Sequence, residues 1–381
     1  MQIKPISSIN TAEQLNDASG LNYIEINING IKVKEEYIQD FEIHYNGGFE
    51  IKGYFTINDI YDLQTQGFLN PGFKINVKYK DQHKDDFERD FIIVRSTELK
   101  IQDAKGIKFV VQDIVSWKLR NTFQPKSWEE VTLKEVFDYI LSLEVQPLIP
   151  KIKRLGKPST RKLKHFCVPL HVNFLDFITE EFRKEGTFFY QTKDAIVIGD
   201  YEPPETPQFP YTQVGKHDLY GFNIFEYYLT FNNINETNTV LPKTEFIAYD
   251  PSKKKVQEYK KSLPDYKELL KPSRVANNSQ LTFGARHITQ DYLLDTTKYK
   301  YYYYHNNTQL EIYVPGNVKY SELYKKVEVK LGGNINALDT RNLGDYKLSG
   351  KYIIYEVHDK IVMGNKFYQK LVLKRLSEEK K

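Results

Sequence analysis

Three carboxylates, Glu180, Glu181 and Glu185, crowd one short stretch of the chain, and paired carboxylates are the equipment of glycoside hydrolysis. They sit in TEEFRKEG, at helical spacing, where a solvated acidic face is the commoner reading. No other feature of the sequence marks a sugar-cleaving site. The eight histidines are scattered. HExxH is absent, and His165 and His171 are not spaced to share one helix face, so no metal-ligand set is expected. The single cysteine, Cys167, lies in the strand-like HFCVPL. It is expected to be a buried, inert thiol, since no partner base is marked. One thiol excludes an intrachain disulfide and a CxxC zinc site. There is no GxSxG and no Gly-rich phosphate loop, and Gly332-Gly333-Asn334 reads as a turn. No catalytic residue, metal or cofactor is therefore expected.

Two segments could bind rather than react. KIKRLGKPSTRKLK carries seven basic residues and no acid: Lys151, Lys153, Arg154, Lys157, Arg161, Lys162 and Lys164. They suit contact with an acidic partner surface or, less well, with DNA passing through a tube. A solvated loop is nevertheless the preferred reading of this stretch, and still more so of Lys253-Lys254-Lys255. The run YKYYYY (299–304), with Tyr301 and Tyr303, could stack sugars or bases. A strand packing on a core and a neighbouring subunit is the preferred reading. With 54 Lys and Arg against 50 Asp and Glu, the net charge of +4 does not itself indicate a nucleic-acid binder.

These residues must be positioned by a chain of 381 residues, long enough for two to four domains. Hydrophobic residues make up 40% and aromatics 14%, mostly Tyr and Phe, which excludes a disordered chain and favours strands. The N-terminus lacks the apolar core of a signal peptide, and no run of eighteen apolar residues appears, so synthesis in a cytoplasm without membrane insertion is expected. YIEINING-IKV (23–33) predicts a hairpin turning at Asn29-Gly30. Phe41–Tyr45 and Phe49–Ile57, separated by Asn46-Gly47-Gly48, predict a second. Phe73–Tyr79, Phe91–Leu99 and Ile107–Ile114 add strands, with a helical or looped crossover over Asp59–Gly67.

The pattern then changes. Thr132-Leu133-Lys134-Glu135 is a capping box ahead of an apolar stripe at Leu133, Val136, Phe137, Ile140 and Leu141. A second helix starts near Asn173, with Phe174, Phe177, Ile178 and Phe182 on one face, and stops near Gly186. Phe188–Tyr190 and Ala195–Gly199 predict a hairpin turning at Lys193-Asp194. Pro203–Pro210 reads as a linker. Strands resume over Tyr220–Phe231, and Lys253–Leu270 is expected to be partly helical. Strands at Glu311–Val314, Lys326–Leu331, Lys351–His358 and Phe367–Arg375 end the chain.

An internal echo organises this series. GFKINVKY, DFIIVRSTEL and GIKFVVQDI run strand, loop, strand, turn, strand. KKVEVKLGG, GKYIIYEVHD and NKFYQKLVLKRL repeat that order. The expected fold is mainly β with α+β insertions: two related antiparallel β-barrels plus two inserted subdomains. The expected boundaries are 1–118 for the first barrel, 119–205 for the α+β domain, 206–245 and 308–381 for the second barrel, and 246–307 for an insertion. A trimer of such chains offers six quasi-equivalent units to a six-fold ring.

VPLHVNFLDFITEEFRKEGTFFYQTKDAIVIGDY (168–201) resembles the baseplate hub family of contractile tails. That family includes the T-even phage hub and the N-terminal part of the valine-glycine-repeat spike of type VI secretion. The shared pattern is a capped helix with an aromatic stripe, a terminating Gly, and a hairpin closing on Gly199-Asp200. LSGKYIIYEVHDKI is similar to the last barrel of that family, and the order of segments matches along essentially the whole chain. The resemblance implies a virion tail protein without enzymatic activity: a homotrimeric hub that joins the tail tube to the cell-puncturing spike. Tail tube, spike and baseplate wedge proteins would be its partners, and DNA would only pass through its lumen. The chain ends without the domains that follow in the type VI member, so a separate spike protein is expected. The rival expectations are a tail-tip carbohydrate- or receptor-binding module using the Tyr-rich insertion, the base of a type VI-like spike, and a cell-wall hydrolase at Glu180 and Glu181.

Overall fold

Tyr, Phe, Ile and Val supply strand-forming side chains along most of the chain, and strands dominate what they build. The computed structural model describes residues 19–46, 48–59, 67, 70–101, 104–122, 125–142, 152–155, 162–168, 172–184, 187–193, 196–200, 209–212, 222–224, 226–231, 243–250, 255–262, 266–267, 281–283, 308–318, 323–330, 350–362, 366–375 and 378–379. β1 (Ser19–Ile28) and β2 (Ile31–Val33) meet at a two-residue turn with Asn29 at φ 48° and Gly30 at φ 92°. Positive φ at both central residues is what an Asn-Gly hairpin turn requires. β3 (Ile38–Tyr45), β4 (Ile51–Asn58), β5 (Lys74–Asp81), β6 (Asp86–Ile101) and β7 (Ala104–Asp113) follow. Phe49, expected to open β4, instead leaves the sheet and packs in a second core. The expected crossover over Asp59–Gly67 lies almost wholly outside the described residues.

The α+β block begins where β7 ends. Asp113 caps α1 (Ile114–Arg120) by accepting from the backbone N–H of Val115 and Ser116. β8 (Lys126–Thr132) then leads into α2 (Leu133–Ser142). The capping box forms: Glu135 accepts from Thr132 N at 2.7 Å, and Thr132 Oγ1 accepts from Glu135 N at 3.3 Å. β9 (Ile152–Leu155), β10 (Lys162–Val168), α3 (Phe174–Lys184), β11 (Thr187–Gln191) and β12 (Ile196–Asp200) complete the block. Asn173 Oδ1 caps α3 by accepting from Asp176 N at 2.9 Å. Phe174, Phe177, Ile178 and Phe182 are buried as their spacing predicts, against Val115, Leu119, Phe137, Phe166, Ile196 and Ile198. Cys167 is exposed, contrary to expectation, because it occupies the outward phase of β10 between buried Phe166 and Val168.

β13 (Phe209–Thr212) starts inside the expected linker, so Phe209 and Pro210 are strand residues. β14 (Phe222–Asn223) and β15 (Glu226–Phe231) follow. β16 (Lys243–Asp250) and β17 (Lys255–Ser262) pair antiparallel along their whole length, so Lys255–Ser262, expected to be helical, is one arm of a hairpin, and residues 253–254, 263–265 and 268–270 of that expectation lie outside the described residues. β18 (Tyr266–Lys267), β19 (Leu281–Phe283), β20 (Thr308–Pro315), β21 (Lys326–Lys330), β22 (Gly350–Val362), β23 (Lys366–Arg375) and β24 (Glu378–Glu379) end the chain.

The strand order closes on itself: β22–β3–β4–β7–β6–β5–β1–β23–β22, an eight-stranded antiparallel ring. Phe41, Phe55, Tyr79, Phe91 and Phe109 fill it, each at most 1% exposed. The second set runs β14–β13–β21–β22–β23–β20–β15. Its two ends, β14 and β15, are separated in the chain by residues 224 and 225 alone. The long β22–β23 hairpin belongs to both sets. Its tip completes the first barrel, and its base pairs with β21 and β20 of the second.

The echo is real in register. Lys74↔Ile92, Ile75↔Phe91, Asn76↔Asp90 and Val77↔Arg89 of β5–β6 recur as Lys326↔Ile353, Val327↔Tyr352, Glu328↔Lys351 and Val329↔Gly350 of β21–β22. β6 slips by one residue against β7 at Val94, and β22 slips against β23 at the equivalent Tyr355. Gly72 at φ 99° and Tyr324 at φ 62° both donate their N–H to the carbonyl just before that slip, that of Ile93 or Ile354. Phe41↔Phe55 and Ile43↔Gly53 recur as Tyr227↔Ile312 and Leu229↔Leu310, and Gly53↔Val111 recurs as Leu310↔Leu373. Thus β3–β4–β7–β6–β5 and β15–β20–β23–β22–β21 are one five-stranded unit built twice. The units differ at their first strands: β1 pairs antiparallel with β5, whereas β13 pairs parallel with β21.

Candidate functional site

The two units meet where the tip of β22 pairs with β3, from Val357↔Tyr45 through His358↔His44 and Lys360↔Glu42 to Val362↔Asp40. Alternation sends Phe41, Ile43, Tyr45, Val357, Asp359 and Ile361 inward. Asp359 is therefore a carboxylate aimed into a core, at 0% exposure. It is held there by three donors: Lys193 Nζ at 2.9 Å, Tyr79 Oη at 2.7 Å and Gln369 Nε2 at 2.6 Å. Lys193 Nζ also donates to Asn317 O at 3.0 Å, and Gln369 Nε2 donates to the same oxygen at 2.7 Å. Nearby, Asp81 accepts from Val318 N at 2.8 Å, joining the first unit to the loop after β20.

Lys193 belongs to the β11–β12 turn of the inserted block. Residues 191 to 193 form one buried peg. Gln191 Nε2 donates at 2.8 Å to Phe49 O, Asp113 Oδ2 and Ser116 Oγ. Arg89 of β6 donates to the carbonyls of Thr192 at 3.0 Å and Lys193 at 3.3 Å, with Asp113 3.7 Å away. Ser116 Oγ also donates to Asp113 Oδ2. Buried polar groups are tolerated when each finds partners, and such a network fixes one arrangement of the parts it joins. Here the parts are the first unit, the second unit and the inserted block. The turn at Lys193-Asp194 was legible in the sequence. The burial of Lys193 was not, because its partners Asn317 and Asp359 lie 124 and 166 residues away.

Two tyrosines flank Asp359 in opposite situations. Tyr79 donates to it, whereas Tyr45 Oη is buried with no hydrogen-bond partner among the described residues. Tyr79→Phe is expected to cost about 1–3 kcal/mol, because it strips a donor from a buried charge. Tyr45→Phe is expected to be neutral or slightly stabilising, because it deletes a desolvated hydroxyl. Urea denaturation of both variants checks the contrast. Burial, then Asp359, pushes both phenols well above their ordinary value of 10.0. A folded value raised above the unfolded one means that stability is intact below about pH 10 and falls as pH rises further. Alkaline unfolding of Tyr79→Phe should therefore be less steep than that of the parent.

The residues proposed from sequence are scattered. Lys151, Lys157, Arg161, Tyr301 and Tyr303 lie outside the described residues. Lys153 and Arg154 lie in β9, which pairs parallel with β12. Lys162 and Lys164 lie in β10, in a different sheet, which pairs with β8. Lys162 is exposed and reaches Glu130 Oε2 at 3.2 Å. Glu180 and Glu181 fall in α3, and their side chains, like Glu185, are outside what is described. Among the described residues no helix is long and apolar enough to cross a membrane, which says nothing of strands.

No family model matches the sequence, and no curated protein matches it significantly. Solved structures do match in fold. A tail protein from Neisseria meningitidis superposes with a TM-score of 0.64 at 12% identity, over 94% of this chain and 97% of that one. The 43 kDa tail protein of prophage MuSo2 from Shewanella oneidensis gives 0.57 at 12% identity, over 92% and 98%. An Escherichia coli protein described as a type VI secretion component structurally similar to phage T4 tail proteins gives 0.53 at 10% identity, over 91% and 76%. The chain has the fold of phage tail and type VI spike-related proteins.

Proposed function

We propose that this chain is a structural baseplate hub subunit of a phage-type tail, assembling as a homotrimeric, pseudo-six-fold ring between tail tube and cell-puncturing spike. One observation carries the reading: a single five-stranded unit is built twice, register for register, and the two copies are joined by pairing the tip of β22 with β3. A unit that joins its copy head to tail within a chain can repeat the same joint between chains, and closure at six units takes three chains. The equivalents of the β22 tip and of β3 are Ser96–Ile101 of β6 and β15. β5 covers β6 only as far as Ile92, and β15 ends the strand order. The fold shared with tail proteins supports the same setting.

The mechanism would be mechanical. Rigid barrels, pegged by Lys193, would pass force from tube to spike through large obligate interfaces. Contact with an acidic partner is our assignment for Lys151, Lys153, Arg154, Lys157, Arg161, Lys162 and Lys164, and packing on a neighbouring subunit for Tyr301 and Tyr303. Light scattering on the purified full chain tests the assembly. A mass of three chains is expected, alone or on adding the cognate spike protein. A strictly monomeric species at high concentration, unchanged by the spike, would overturn the reading.

A further inference from the structure

The outward face of the same joint carries a cluster that the assembly does not need. β3 presents Glu42-x-His44 and β22 presents Glu356-x-His358, and alternation puts each pair on one face. The strand register sets His44 directly opposite His358, with ring centroids 4.0 Å apart and planes 16° from parallel. One ligand-type atom from each of Glu42, His44 and His358 lies within 4.8 Å of the other two. Glu356 Oε2 stands 3.3 Å from His358 Nε2, a second carboxylate within reach.

We propose that Glu42, His44 and His358, with Glu356 beside them, bind one divalent transition-metal ion of the zinc class. Two observations point to a ligand rather than to packing. First, His44 Nε2 is buried and lies 2.7 Å from Glu42 Oε1, yet off the line a hydrogen bond requires, so it has no hydrogen-bond partner among the described residues. Second, the repeat does not demand the pair: the equivalent positions in the other copies are Thr97 and Thr230.

The donor set selects the metal class. Imidazole with carboxylate suits zinc, nickel, copper or cobalt, whereas calcium and magnesium take oxygen ligands. Zinc–ligand bonds of about 2.0–2.1 Å require these side chains to draw in by roughly an ångström, which rotation about their own bonds supplies. A shallow cavity lined by Asp40, Glu42, His44, Tyr54, Lys108 and Lys360 leaves room for a water ligand. Lys108 and Lys360 oppose a cation there, and Asp40 favours one. Lys370, opposite His358 on β23, is occupied by Glu311 at 2.8 Å, and Lys52, opposite His44 on β4, by Glu50 at 3.2 Å. An ion here would tie β3 to β22 and stabilise the joint by mass action.

Titration of untagged full-length chain with zinc sulfate in a calorimeter tests the site, with cobalt substitution read by its visible absorption. One equivalent per chain, a raised melting temperature reversed by chelator, and cobalt bands of a low-symmetry nitrogen–oxygen site are expected. His44→Gln and His358→Gln should each weaken zinc by more than about tenfold, the scale on which even partners one step removed from a metal act. His165→Gln should not, and an unchanged far-ultraviolet circular dichroism spectrum with a cooperative melt would show that the variants fold. No saturable uptake, or uptake indifferent to both glutamine variants, would overturn the proposal. The result does not depend on whether the chain forms a ring.

Discussion

Replacing Lys193 with methionine should destabilise the fold by about 3–5 kcal/mol, the usual cost of removing one partner of a buried ion pair. Methionine keeps the stem and deletes the charge. The Asp359 carboxylate would remain at 0% exposure with Tyr79 and Gln369 donating to it and no cation to balance it. The loss should be local in origin. Hydrogen exchange should quicken at Thr187–Asp200 and at the β22 tip before it quickens in β4 or β7, because the peg is the contact that those first two segments share. Lys193→Met combined with Asp359→Leu should recover part of the loss, since a buried pair removed together sheds its desolvation penalty. Recovery should be incomplete, because Tyr79 and Gln369 then lose their acceptor. A Lys193→Met protein with the parent's urea midpoint would show that the peg does not hold the three parts together.

The same residue shows where sequence reading reaches its end. Signals confined to a few neighbours were legible: the Asn29-Gly30 turn, the Thr132–Glu135 capping box, the aromatic stripe from Phe174 to Phe182, and the strand–turn–strand triplets that repeat. Each is decided by local sterics or by period. Asp113 as a helix cap was readable in principle, an Asp followed by apolar residues, but the strand pattern before it hid the stop. Lys253–Leu270 has the charge density of a solvated helix, and over Lys255–Ser262 pairing with β16 overrode that weak preference. Cys167 needed the phase of β10, and the hydrophobic flank HFCVPL suggested the wrong one. Lys193, His44 and His358 could not be found at all. Their roles come from strands brought together across 166 residues in one case and across the β3–β22 register in the other. Charged and titratable residues acquire meaning from partners, and partners are fixed only by topology.

If the joint recurs between chains, a chain carrying Thr97→Cys and Thr230→Cys, in a Cys167→Ser background, should cross-link almost completely into closed trimers on oxidation. The register follows from equivalence. Ser96–Ile101 of β6 stands for Val357–Val362, and Glu226–Phe231 of β15 stands for Asp40–Tyr45. Thr97 of one chain then faces Thr230 of the next, as His358 faces His44 within a chain. Directly opposed residues of an antiparallel pair have Cα atoms about 4.5–5.5 Å apart, within the span a disulfide bridges. The stacked imidazoles show that side chains at this position touch. Moving one cysteine by a residue, Thr97→Cys with Leu229→Cys, sends the thiols to opposite faces of the sheet and should abolish the link. Equal cross-linking of both designs would mean random collision. Cross-linking of the shifted design alone would mean a different register. A trimer by mass that resists both would place the interface elsewhere on the barrels. Only the in-register ladder, ending at three chains and no higher, would show that the joint used once inside the chain is the one that closes the ring.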